Sequence, residues 1–342
     1  MTSNSRDIAE AARLIWPDYR PTPLIELPIL ADACGVASVM IKLESERPLG
    51  NFKCLGGMYA GLWALSQASG RGDIGALLAD PPLHLPTLIC ASDGNHGLAV
   101  AAAARRVGAR AIIYLHEHVP PARADRIAAL GASIVWIEGS YDDAVDAAAA
   151  DATGLLIADT TDRLDDPVVA KVMEGYGLIA SEIRDQLAAD DRDYPTHMVV
   201  QAGVGGFAAA MANRLCAHLA KPGRVIVAEP ETAPCVALAL RNGAPERVPG
   251  SLKTSAEMLS CGLASSPAIP DLLRHGVVAV LVSEALLNET PALLARAGGP
   301  LTTASGAAGL AGLLHVSRDQ ALREQMAIDG DSRVLLTITE GC

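Results

Sequence analysis

Ser92-Asp93-Gly94-Asn95-His96-Gly97 puts a hydroxyl, a carboxylate, an amide and an imidazole within five positions. The segment follows the apolar run Thr87–Cys90 and opens an alanine-rich stretch from Leu98. It therefore reads as a strand, a tight polar loop and a helix start. Backbone N–H groups in such a loop point at an anion, and the helix dipole favours negative charge there. Asp93 can serve as a general base or cap the helix, capping being the commoner role for Asp in such a loop. Ser92 and Asn95 carry the same two readings. His96 can titrate near neutrality or orient the loop, and its position favours orientation.

Two further places could do chemistry. Gly203-Val204-Gly205-Gly206 lies between a strand and a helix, where glycines let the backbone approach a phosphate. A dinucleotide reading is weak there. Ala208 stands at the third glycine position of GxGxxG, and Glu229 follows the next strand. The chain has five lysines, at 42, 53, 171, 221 and 253. Lys42 lies in a strand and is expected to snorkel. Lys171 and Lys221 sit in polar helix-end contexts and are expected to be solvated, while Lys253 follows a loop. Lys53 starts a helix, where a positive charge is disfavoured. A depressed amine pKa suits a nucleophile or imine former, although the position also fits a lysine in water. Asp159 stands at the carboxyl end of a strand, where α/β proteins bind ligands. The following Thr160-Thr161-Asp162 equally fits a turn.

The elements that must hold these residues alternate along the chain. Strands are expected at Val39–Leu43, Thr87–Cys90, Ala111–Leu115, Ser133–Ile137, Leu155–Ala158, Met198–Gln201, Val225–Ala228 and Arg333–Ile338. Helices are expected at Lys53–Ser69, Leu98–Val107, Pro121–Leu130, Tyr141–Thr153, Met173–Leu187, Phe207–Leu219 and Ser305–Val316. Apolar strands alternating with helices imply an α/β fold of two lobes, each an open, mostly parallel sheet flanked by helices. The larger domain is expected over 1–80 plus 166–342 and a smaller substrate-loop domain over 81–165.

Composition narrows the function classes. Half of the 342 residues are hydrophobic but only 3% are aromatic, so the core is built from Ala, Leu, Val and Ile. A net charge of −12 argues against nucleic acid or an anionic membrane as the main partner. The seven cysteines are scattered with no CxxC pair, so neither a zinc site nor a disulfide framework is expected. No metal site is expected either. The polar N-terminus and the absence of a bilayer-spanning apolar run make cytoplasm the expected location.

Asn51-Phe52-Lys53, Ser92-Asp93-Gly94-Asn95-His96-Gly97, Gly203-Val204-Gly205-Gly206, Ser305-Gly306-Ala307-Ala308-Gly309 and Thr339-Glu340-Gly341 occur in one order. Together they resemble the fold type II pyridoxal phosphate (PLP) enzymes, the group of threonine dehydratase, serine racemase and tryptophan synthase β. Asp-Gly-Asn-His-Gly at 93–97 is most similar to the diaminopropionate ammonia-lyases. So are Asp159-Thr160, Glu174-Gly175-Tyr176, Gln201-Ala202-Gly203-Val204-Gly205 and Glu229-Pro230.

The resemblance implies roles. Lys53 would carry the cofactor as an imine and Phe52 would pack on its ring. Asn95 would bond the 3′ oxygen. Gly203, Val204, Gly205 and Gly206 would hold the phosphate, and Thr339 would sit opposite the pyridine nitrogen. Ser92, Asp93, Gly94, Asn95 and His96 would form the substrate loop, with Ser92 and Asn95 on the carboxylate. Lys53 would take the Cα proton on one face. Asp93 would act on the other face, or on a β-amino leaving group. Asp93 and Asp159 together favour a cationic β-substituent, since one charge pair near ~4 Å contributes on the order of 4 kcal/mol at an intermediate dielectric.

The implied activity is α,β-elimination of 2,3-diaminopropionate, D or L, to pyruvate and ammonia, by a homodimer. A dehydratase or racemase of serine, threonine or 3-hydroxyaspartate is the alternative, and a non-catalytic PLP- or amino-acid-binding homologue the second. Two departures stand out. Ala304 replaces the usual Glu before Ser-Gly, and the chain ends at Cys342 where the pattern runs on.

Overall fold

A computed structural model describes residues 3–92 and 94–342, with side chains from Ile8 onward. Asp93 lies outside the described residues. The strands are β1 (Leu24–Glu26), β2 (Ser38–Leu43), β3 (Thr87–Ala91), β4 (Ala111–His116), β5 (Ser133–Ile137), β6 (Gly154–Leu156), β7 (His197–Gln201), β8 (Arg224–Pro230), β9 (Val278–Val282) and β10 (Arg333–Ile338). They form two sheets, and the chain divides into two compact units with one sheet each.

The first unit takes the chain up to Arg20, Lys53–Thr161 and Asp165–Leu178. Its sheet runs β5-β4-β3-β6, all parallel. Every residue of β3 is buried. A strand buried at every position, with no exposed alternation, is what a parallel strand covered on both faces requires.

Helix Lys53–Ala68 packs here on helix Asn95–Arg106 with unusual closeness. A Cβ added at Gly57 would stand 2.7 Å from Ala99 Cβ, and one at Gly61 would stand 3.1 Å from Ala103 Cβ. Glycines four apart on one helix thus face alanines four apart on the other. That row also contains Lys53, so the small residues set how near the lysine's helix lies to the helix that follows β3. The expected smaller domain, 81–165, leaves out this helix, which the structure groups with β3–β6.

The second unit holds Pro21–Phe52, Asp162–Leu164 and Ile179–Cys342. Its sheet runs β1-β2-β10-β7-β8-β9 and is parallel except for β1 against β2. An alanine- and leucine-rich core lies against this sheet. It includes Val199, Ile226, Leu310, Leu313, Leu314 and Leu336.

Ser133–Ile137 and Arg333–Ile338 match the sequence expectation residue for residue. The helix expected from Met173 starts earlier, at Pro167, because Asp166 Oδ1 accepts from the N–H groups of Val168 and Val169. An Asp cap followed by Pro at the first helical position is a strong start signal that periodicity alone passes over. Helix Tyr141–Ala150 stops three residues short of expectation. β9 was not expected at all.

Lys42 corrects a sequence expectation. It does not snorkel; it is fully buried. Its Nζ donates to Thr22 O at 2.7 Å and Gln186 Oε1 at 2.8 Å and pairs with Glu182 Oε2 at 2.7 Å. Glu182 also pairs with Arg47, which donates from Nε and Nη2 to Glu44 at 2.7 and 2.9 Å. β2 is an inner strand, and Glu182 and Gln186, four apart on one helix, meet its lysine there. Among the described residues no helix is long and apolar enough to cross a membrane.

Candidate active site

The sequence-predicted residues fall into two groups, one in each unit. In the first unit the centre is Lys53. It opens helix Lys53–Ala68, and its Nζ pairs with Asp159 Oδ2. Asp159 is 7% exposed. Burial raises its pKa, but Lys53 and His96 oppose this and bring it down to about 2. Asp159 is therefore ionised throughout the physiological range.

His96, the second residue of the loop's helix, is buried. Its Nε2 lies 2.7 Å from the Ile157 carbonyl, which can only accept, so Nε2 carries the proton. Burial lowers its pKa, which disfavours the charged ring. His96 thus ties the loop's helix to the segment leading into Asp159. Its Nδ1 has no hydrogen-bond partner among the described residues.

Ser92 follows β3 and is buried. Its Oγ accepts from the N–H groups of Gly94 at 2.9 Å and Gly97 at 2.8 Å, which folds the loop back on itself. Gly94 has φ 145°, a conformation that favours glycine. Asn95 is the first helical residue and is half-buried. Asp93, the loop's predicted acid, lies outside the described residues.

Tyr176 completes this group and was given no role from sequence. It is buried, and its pKa is raised by burial, with Lys53 and Asp159 acting on it electrostatically. Its place beside Lys53 was not readable, because 123 positions separate the two in the chain.

The second unit presents neutral groups. Gly205 (φ 92°) caps helix Gly206–Leu215 with no side-chain bond. A Cβ there would stand 3.0 Å from Val236 Cγ2. The Gly203 and Val204 carbonyls are turned to Cys235 Sγ, at 3.2 Å, and to Ser265 N–H, at 2.8 Å. The first-turn N–H groups of the helix have no preceding carbonyl to meet. Glu229 is no ribose ligand: it accepts from Val236 N at 2.8 Å and Ala237 N at 2.7 Å and so caps the helix Cys235–Asn242. Burial pushes its pKa up to about 8 despite those bonds.

Phe52 packs on Phe207, ring centroids 4.4 Å apart and tilted by 44°. Thr339 follows β10. Its carbonyl accepts from Phe52 N–H at 3.1 Å and its hydroxyl accepts from Gln201 Nε2 at 3.0 Å. Gln201 also was given no role, although it opens the family-like motif Gln201-Ala202-Gly203-Val204-Gly205. In the late motif, Thr303 Oγ1 donates to Glu340, and Thr302 Oγ1 donates to the Glu340 carbonyl at 2.5 Å. Glu340 is thus the acid that meets the turn where Ala304 stands.

The family described as "Pyridoxal-phosphate dependent enzyme" matches residues 15–340. This chain belongs to it. Among its relatives, diaminopropionate ammonia-lyase of Salmonella typhimurium is 31% identical over 351 residues, covering 95% of this chain and 86% of the relative. The crystal structure of diaminopropionate ammonia-lyase from Escherichia coli in complex with D-serine superposes with a TM-score of 0.89. It is 29% identical, with 99% of this chain and 89% of that one covered. The same enzyme with an aminoacrylate-PLP azomethine reaction intermediate gives a TM-score of 0.86 at 29% identity over the same shares. The two-sheet, helix-flanked α/β architecture is that of fold type II PLP enzymes.

The residues present fit PLP. A primary amine stands beside an ionised carboxylate. A helix N-terminus opens with glycines where a Cβ would crowd its neighbours. The buried Thr339 hydroxyl accepts one bond and has its hydrogen left to give. PLP asks for an imine-forming amine, phosphate donors and a partner for its ring nitrogen, and this PLP enzyme has one of each. Among the described residues no group of three or more His, Cys, Asp or Glu could hold a metal.

Proposed function

We propose that this chain is an ammonia-lyase that eliminates the β-amino group of 2,3-diaminopropionate to give pyruvate and ammonia. The observation that carries the reading is the pairing of Lys53 with the buried Asp159. PLP bound through Lys53 supplies an electron sink that stabilises negative charge at the substrate Cα. Once the substrate's amine has displaced it from PLP, the Lys53 Nζ would remove the Cα proton, with Asp159 orienting Nζ for that transfer. The ionised Asp159 also attracts a cationic β-ammonium, which a neutral β-hydroxyl would feel far less.

The remaining roles follow the resemblance. The N–H groups of Gly203, Val204, Gly205 and Gly206 hold the phosphate, Phe52 packs on the ring and Asn95 bonds the 3′ oxygen. Ser92, Gly94, Asn95 and His96 shape the loop that takes the substrate carboxylate, within a substrate-loop domain centred on 81–165. Asp93 acts on the face opposite Lys53 and admits the D isomer. The protein works as a homodimer in the cytoplasm.

A panel of both isomers of diaminopropionate, serine, threonine and 3-hydroxyaspartate, assayed for oxo acid and ammonia, tests this. Diaminopropionate should release two ammonia per pyruvate. Inactivity on both of its isomers rejects the reading. Asp93→Ala should severely impair the D-diamino substrate and spare an L-hydroxy one. A second reading, elimination of water from a β-hydroxy amino acid, is favoured by the D-serine held in the Escherichia coli relative's structure. One ammonia per pyruvate from serine alone would select it.

A further inference from the structure

We infer that Glu229 is a positioning residue for the proposed phosphate site: through the helix it caps, it aims the Val204 N–H group. This rests on the PLP reading above, with the glycine turn holding the phosphate.

Glu229 is fully buried near the end of β8. That strand pairs with β7, whose end leads into the glycine turn. Pro234 stands at the N-cap of helix Cys235–Asn242, and its side chain makes no capping bond. Glu229 supplies the missing cap from the neighbouring strand. Its Oε1 accepts from Val236 N–H at 2.8 Å and its Oε2 from Ala237 N–H at 2.7 Å. Among the described residues no cation acts on this carboxylate. The N–H groups at the positive end of the helix are therefore what hold it in place.

The first two residues of the capped helix touch the turn. Cys235 Sγ donates to Gly203 O at 3.2 Å. Val236 Cγ2 lies 3.0 Å from where a Cβ on Gly205 would stand. From another segment, Ser265 N–H donates to Val204 O at 2.8 Å. In a trans peptide the C=O and N–H bonds point opposite ways. Fixing Gly203 O therefore fixes the direction of Val204 N–H, and fixing Val204 O fixes Gly205 N–H. Each N–H is aimed away from the group that grips its peptide's carbonyl. Among the described residues neither N–H meets an acceptor. Two preoriented donors of this kind suit a phosphate oxygen. Glu229 governs the first of them through the cap, the helix and the Cys235 thiol; Ser265 governs the second without it.

The test compares PLP with pyridoxal, which lacks the phosphate, on the full chain above the Glu229 pKa of about 8. Equilibrium dialysis reads binding separately from turnover. Glu229→Gln keeps the shape but turns an NH₂ group toward one of the helix's donors, so the two-oxygen cap is lost. PLP affinity should fall about tenfold, as expected for one hydrogen bond, while pyridoxal affinity holds. Cys235→Ala leaves the cap and removes the donor to Gly203. It should give the same split, and it carries the test if the glutamine variant does not fold. In the double variant the loss of PLP affinity should stay near that of either single variant, because both act through one bond. Equal losses of PLP and pyridoxal, no loss in a folded variant, or additive losses overturn the inference. Borohydride reduction with peptide mapping checks the underlying reading independently: no PLP on wild-type Lys53 would remove that reading as well.

Discussion

Lys42 and Lys53 are two lysines paired with carboxylates, and they differ in what is left over. Lys42 is fully buried, and three acceptors (Thr22 O, Gln186 and Glu182) take up its three donors. Its carboxylate partner is shared with Arg47, so the charges close on themselves. Burial lowers the Lys42 pKa, and Glu182 and Glu44 oppose that. Lys53 pairs with one buried carboxylate while 24% of its side chain stays exposed, against 0% for Lys42. A closed network holds structure together; a pair with one open side can exchange its proton. Both lysines follow from the same residue type, and the difference lies in how far the fold closes over each.

Substitutions should separate the two roles. Lys53→Ala removes the only proposed imine-forming amine. Turnover of any substrate should fall by about 10⁴-fold or more, with thermal unfolding little changed. Lys42→Met should do the reverse. It leaves Glu182 short of a partner and should cost about 3 kcal/mol in denaturant unfolding, while kcat per folded molecule holds. Equal loss of activity in both variants would erase the distinction. Asp159→Asn keeps the shape but not the charge, and should lower kcat on diaminopropionate about 10²-fold, as loss of an orienting partner in proton transfer does.

The smallest effect is a pH dependence. The Asp159 pKa is about 2 when folded, against an ordinary 3.8. The folded value is depressed, so the carboxylate's contribution is complete above 3.8 and is lost as pH falls through about 2. That contribution is about 2 kcal/mol. Acid unfolding of the wild type should show this loss between those values, and Asp159→Asn should not.

The strand-end placement of the candidate site's parts was legible in the sequence. Ser92 after β3, the glycine turn after β7 and Thr339 after β10 each follow an apolar run, and parallel sheets gather ligands at such ends. Tyr176 and Gln201 stood in family-like motifs, but their roles were not legible. Their significance depends on neighbours more than a hundred positions away in the chain: Lys53 for one, Ser305 to Thr339 for the other. Lys42 was misread for a related reason. A lysine in a strand reaches water unless another element closes over it, and Glu182 and Gln186 close over this one.

The sequence by itself determined the alternation of apolar strands and helices, the glycine turns and the order of the motifs, because these follow from local periodicity and backbone freedom. Only the tertiary structure decided which charges close into a network and which stay open, and which atom of Gln201 faces Thr339. Electrostatics and hydrogen bonding depend on distance through space, and a linear spacing does not encode it.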